Sequence, residues 1–86
     1  MYSIEFDKSV KKTLSKLSND IVRKILDAIT ELADDARPYG CEKLQSKGDY
    51  YRIRIGNYRV IYEINDGELV ILVVEIGHRK EIYKKK

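Results

Sequence analysis

Hydrophobic positions change period twice along this chain. Tyr2, Ile4 and Phe6 alternate with Ser3, Glu5 and Asp7, the period-two pattern of a half-buried strand. The spacing then becomes helical: Val10, Leu14 and Leu17 fall at i, i+4 and i+7, while Lys8, Lys11, Lys12 and Lys16 stay on the wet side. Asp7 or Ser9 is placed to cap this helix, and Ser18-Asn19-Asp20 interrupts it. Ser18 or Asn19 caps a second helix whose stripe runs Ile21, Val22, Ile25, Leu26, Ala28, Ile29, Leu32 and Ala33. The two helices form a hairpin. Asp34 and Asp35 oppose the dipole of a helix C-terminus and Pro38 forbids continuation, so the second helix is expected to end between Ala33 and Arg37.

Arg37 to Asp49 reads as the longest irregular stretch, with Leu44 as its anchor. From Tyr50 the period returns to two. Tyr51, Ile53 and Ile55 alternate with Tyr50, Arg52 and Arg54, Gly56-Asn57 turns the chain, and a partner strand runs from Tyr58 to Ile64. Asn65-Asp66-Gly67 makes a second turn into Leu69 to Ile76, an apolar run broken by Glu75 and expected of a central strand covered on both faces. His78 to Lys86 is a polar tail with room for a short helical turn. The prediction is one α+β domain over residues 1–86, in the order β-α-α-β-β-β: a strand, a helical hairpin and a three-stranded antiparallel meander in a twisted sheet. All helical apolar surface lies on one side of that sheet, which leaves the opposite face open in whole or part.

Composition narrows the class. With 43% hydrophobic and 36% charged residues, the 86-residue chain is too apolar to be disordered and has no segment long enough to span a bilayer. No signal peptide opens it, so a cytoplasmic, non-membrane protein is expected. The lone Cys41 makes an internal disulfide impossible, and one cysteine with one histidine makes no zinc cage, so no metal or cofactor is expected. Net charge +3 divides unevenly: residues 1–42 carry −1 and residues 43–86 carry +4. Four arginines, Arg52, Arg54, Arg59 and Arg79, fall in a segment that otherwise reads as strands, and nucleic acid becomes the expected partner.

Arg52 and Arg54 share one strand face, about 7 Å apart, near the spacing of successive phosphates on a single strand. Tyr50 joins that row, setting an aromatic ring beside the cations. A merely solvated strand face has the same pattern. Arg59 alternates with Ile61 and Glu63 and is expected to be partly buried, so its charge is either paired, with Glu63 or across the strands, or kept for a ligand. His78 has the one side chain that titrates near neutrality and is the nominal acid or base, although a lone histidine is also an ordinary polar surface residue. Arg79 and Tyr83 share a face if the tail is helical. Nothing resembles a phosphate-binding glycine loop or a nucleophile elbow, and Cys41 has no histidine nearby in sequence.

Two motifs, Tyr50-Tyr51-Arg52-Ile53-Arg54-Ile55-Gly56-Asn57-Tyr58-Arg59-Val60-Ile61-Tyr62-Glu63-Ile64 and Gly77-His78-Arg79-Lys80-Glu81-Ile82-Tyr83, resemble the RelE/ParE superfamily of toxin–antitoxin toxins. The resemblance spans essentially the whole chain and is strongest to the RelE branch, because ParE-type gyrase inhibitors usually have fewer of these basic residues. It implies an mRNA interferase that cuts the message in the A site of the 70S ribosome. The implied partners are a RelB-like antitoxin encoded next door, which binds operator DNA on behalf of the complex. The functional positions carried over are Arg52, Arg54, Arg59, Arg79 and Tyr83, with Tyr50 and Lys80 as further RNA contacts and His78 as a weaker candidate. The familiar RelE pattern has lysines where this chain has Arg52 and Arg54, and its tail between Arg79 and the tyrosine is longer. Arginine does not surrender its proton, so a lysine's general-base role does not transfer.

The chemistry implied is attack by the 2′-OH on the adjacent phosphorus, without metal. It needs a base for the hydroxyl, cations for the phosphorane charge and a proton for the leaving 5′-oxygen. Arg59 and Arg79 suit the scissile phosphate, Arg52 and Arg54 the backbone, and Tyr83 a base or the nucleophile. His78, Glu63 and Tyr83 are the candidates for proton transfer. Two alternatives share this sequence pattern: a ParE-like gyrase inhibitor without nuclease activity, and an inactive homologue serving only as the antitoxin's corepressor.

Overall fold

A computed structural model describes residues 1–44 and 50–78. Strand β1 (Ser3–Phe6) leads into α1 (Lys8–Leu14) and α2 (Asn19–Glu31); β2 (Glu42–Lys43), β3 (Tyr50–Ile55), β4 (Tyr58–Asn65) and β5 (Val70–His78) follow. The five strands form one sheet in the order β1-β5-β4-β3-β2. β3, β4 and β5 are the predicted antiparallel meander, and β1 returns beside β5 in parallel, with Ile4 opposite Ile71 and Phe6 opposite Val73.

Caps fall where the sequence places them. Asp7 caps α1, its carboxylate accepting the Ser9 N–H at 2.9 Å, and Ser18 caps α2 by accepting from the Ile21 N–H. Both helices are shorter than their stripes. α1 stops at Leu14, leaving the half-buried Leu17 in the following turn. α2 stops at Glu31 rather than beyond Ala33; Leu32, Ala33 and Asp34 donate instead to Ile29, Thr30 and Glu31, a tighter turn that carries the chain out of the helix. The two aspartates at a dipole-disfavoured end and Pro38 beyond them account for the early unwinding.

Apolar residues from both layers meet in one core. Val10, Ile25, Ile29 and Leu32 from the helices and their following turns pack on Tyr51, Ile53, Val60, Tyr62, Ile64, Ile71, Val73 and Ile76 of the sheet. Tyr51 and Tyr62, paired in register, stack with ring centroids 6.0 Å apart. Tyr62 is fully buried, and its hydroxyl donates to the Ala36 carbonyl at 2.9 Å.

Two sequence expectations change here. The stretch from Arg37 is not wholly irregular, because β2 adds an edge strand to β3: Glu42 pairs with Arg52 and Lys43 with Tyr51, and the Leu44 N–H reaches the Tyr50 carbonyl. Two charged residues carry no alternating pattern, so pairing alone reveals them. β5 is central, but only one of its faces is fully buried; Leu72, Val74 and Glu75 are half-buried. Its alternation is broken by a bulge. Val73 opposes Tyr62 while Glu75 opposes Ile61, leaving Val74 as the extra residue. If Val74 paired with Ile61 instead of bulging, Glu75 would oppose Val60 and point into the core.

Candidate nucleic-acid interface

The register fixes which side chains share the helix-free face. On β3 these are Tyr50, Arg52 and Arg54; opposite them on β4, Glu63, Ile61 and Arg59; and opposite those on β5, Leu72, Glu75 and Gly77. Tyr50 stands opposite Glu63, Arg52 opposite Ile61, and Arg54 opposite Arg59, which faces Gly77 on its other side. The predicted row of cations is therefore real, and Arg59 belongs to it. Glu63 lies four residues along the strand from Arg59, about 13 Å by strand rise, and its cross-strand neighbour is Tyr50.

Exposure grades sharply along the row. Arg54 is exposed and Arg52 half-buried, whereas Arg59 is only 7% exposed and, among the described residues, is the one charged residue in the buried set. Like charges placed directly opposite each other disfavour a sheet pair, and an arginine taken from water demands compensation. Gly77, opposite Arg59 on β5, adds no side chain to this face.

Glu42 is a member of this face that sequence reasoning missed. Arg52 Nε and Nη2 both donate to Glu42 Oε1, the first at 3.0 Å. Arg52 above all, with Arg54 and Arg59 adding their fields, holds the Glu42 carboxyl below the usual carboxylate range. Glu75 was visible in the sequence only as the one charge in an apolar strand, and the bulge is what turns it toward this face.

His78 does not join the row. It pairs with Tyr58 in register and meets that ring edge-on, centroids 5.4 Å apart, on the opposite side of the sheet from Arg59. Arg79, Lys80 and Tyr83 lie outside the described residues. A cavity of about 450 Å³ sits elsewhere, between α2 and β3, where Glu31 and Asp35 beside apolar Leu32 and Ile53 would repel a phosphate. Only its Arg54 wall touches the cationic face. Among the described residues no helix is long and apolar enough to cross a membrane.

Sheet, backing helices and arginine row together define a small one-sheet α+β protein with a cationic face. Residues 4–83 match the family described as "ParE toxin of type II toxin-antitoxin system, parDE". The mRNA interferase toxin RelE of Escherichia coli K12 is 26% identical over 88 residues, covering 98% of this chain and 92% of that protein. The putative toxin RelE1 of Methanocaldococcus jannaschii is 28% identical, with 96% of each covered. Among solved structures, RelE in the archaeal RelE–RelB complex of Pyrococcus horikoshii OT3 superposes with a TM-score of 0.82 at 32% identity, over 91% of this chain and 94% of that one. The isolated E. coli RelE toxin gives 0.80 at 26% identity, over 99% and 94%. The chain belongs to this family of type II toxin–antitoxin toxins, in its RelE branch.

Proposed function

We propose that the protein is a ribosome-dependent mRNA interferase, cutting the message in the A site by attack of a 2′-OH on the neighbouring phosphorus. The observation that carries this reading is Arg59, a buried cation directly opposite Arg54 and beside Gly77. A guanidinium already withdrawn from water loses little solvation on meeting a phosphate and gives it planar, paired donors. Arg59 and Arg79 take the scissile phosphate and its developing charge; Arg52 and Arg54 hold the flanking backbone, with Tyr50 and Lys80 beside them. The 2′-oxygen bonds to phosphorus as its proton leaves, and the bond to the 5′-oxygen breaks as that oxygen takes a proton, giving a 2′,3′-cyclic phosphate and a 5′-hydroxyl. Arginines are unsuited to either transfer. Tyr83 is our candidate for one, and Glu63 and Glu75 on the face are the candidates for the other. His78, with its ring against Tyr58, stays outside the reaction.

The names of the relatives support the activity: two are called mRNA interferases, and several solved RelE structures are complexes with RelB. By the same reasoning a small antitoxin is this chain's partner, and operator DNA is reached through it. Primer extension on cellular mRNA after induction tests the activity. Cuts within translated frames are expected, lost in Arg59→Ala and in Arg79→Ala while growth arrest disappears and the antitoxin still binds. DNA damage without mRNA cuts would overturn the reading in favour of a gyrase poison, and absence of growth arrest in favour of a corepressor.

A further inference from the structure

We propose that Glu42 is a resident counter-anion for Arg52, standing where an RNA phosphate binds and leaving when one arrives. This rests on the arginine face being the RNA site. Glu42 lies directly opposite Arg52 in register, and both Nε and Nη2 of the guanidinium converge on its Oε1, the donor fork that also suits a phosphate oxygen. The pair sits on the same face as Arg54 and Arg59, so the carboxylate neutralises one end of the cationic row.

The contact is built to exchange. The side chains are 24% and 48% exposed, and ion pairs this wet are held by about 0.2–1 kcal/mol. The strand that presents Glu42 is two residues long and ends the sheet, bordered by β3 alone. A carboxylate in this position lowers affinity for every polyanion by masking one cation, and so sets a threshold that a correctly placed phosphate has to exceed. If Glu42 instead positioned Arg52 for RNA, its removal would have the opposite sign.

The test is binding of a short fluorescein-labelled single-stranded RNA to the purified chain, by anisotropy, from roughly 50 to 200 mM salt. Glu42→Gln is expected to bind up to about fivefold tighter at the low end, the value of one exposed ion pair. Its log–log salt slope should be steeper by at most about 0.7, because the site then carries one more net positive charge. Glu42→Ala moves the same way, and thermal melts of both variants check the fold. Arg52→Ala and the double variant Glu42→Gln/Arg52→Ala bind alike, because the gain acts through Arg52. Equal or weaker binding by Glu42→Gln overturns the proposal. If Arg54→Ala/Arg59→Ala then abolishes binding, only the role of Glu42 has failed; if that variant binds as well as the unmodified chain, the RNA site itself has been misplaced.

Discussion

Arg54 and Arg59 stand directly opposite each other across the β3–β4 hairpin, one exposed and one buried. Cross-strand like charges cost a sheet about 0.2–1 kcal/mol. Arg54→Thr should therefore raise stability toward urea by about that amount, while RNA cleavage falls at least about tenfold, the effect of about 1.4 kcal/mol on a barrier. Paired urea melts and cleavage assays check it, and a variant that loses stability and keeps activity would show that the opposition has nothing to do with an anion.

Tyr62 makes the complementary case, a polar group that serves the fold. Burial first, then Cys41, push its phenol well above the usual range, and its hydroxyl ties the sheet to the Ala36 carbonyl. Tyr62→Phe leaves that carbonyl without its donor and should cost about 1 kcal/mol. A domain of this size then melts about 4–8 °C lower, with RNA affinity unchanged.

Acid stability should depend on Asp66. Its carboxylate accepts from the Tyr2 hydroxyl and from Arg37 Nη2, the latter at 3.0 Å, while Arg37 Nε donates to the Tyr51 hydroxyl. Tyr2 first and Arg37 second hold the Asp66 pKa below its ordinary 3.8. A carboxylate depressed in the folded state contributes fully above that ordinary value and loses its contribution as pH falls through the folded one. Tm should thus drop below about pH 4, and Asp66→Asn should flatten that limb by removing at neutral pH the contribution that acid removes from the unmodified chain. Thermal melts across pH decide it.

Leu69, just before β5, has a φ of +56° and is 47% exposed. A left-handed backbone costs an L-residue with a bulky side chain roughly 1–2 kcal/mol, less for asparagine. Leu69→Asn should stabilise by about 0.5–1 kcal/mol, read as a higher urea midpoint, since little apolar contact is lost.

What the sequence made legible follows from what carries a period. β3 and β4 alternate without interruption, so the shared face of Tyr50, Arg52 and Arg54 and the place of Arg59 beside it were open to view. The capping residues Asp7 and Ser18 were equally visible, each having an oxygen at the right offset. Glu42 was hidden because a two-residue strand has no period, and its meaning comes only from lying opposite Arg52. His78 was misleading because chemistry nominated it, whereas only register shows that it shares a face with Tyr58 rather than Arg59. Leu69 looked like the start of a strand because its apolar character matched the run, while backbone conformation assigns it to the turn.

The bulge at Val74 makes β5 a strand with two phases. Up to Val73 its odd-numbered positions serve the core; beyond it, Ile76 serves the core and the odd positions serve the other face. Structural and chemical halves of the strand can therefore vary separately, since the inserted residue resets the count between them. Deleting Val74 would leave Glu75 opposite Ile61 and Ile76 opposite Val60 in an unbroken ladder; if Val74 instead stayed and paired with Ile61, Glu75 would be driven against Val60 and Ile76 set beside Arg59, exchanging the occupants of both faces at once.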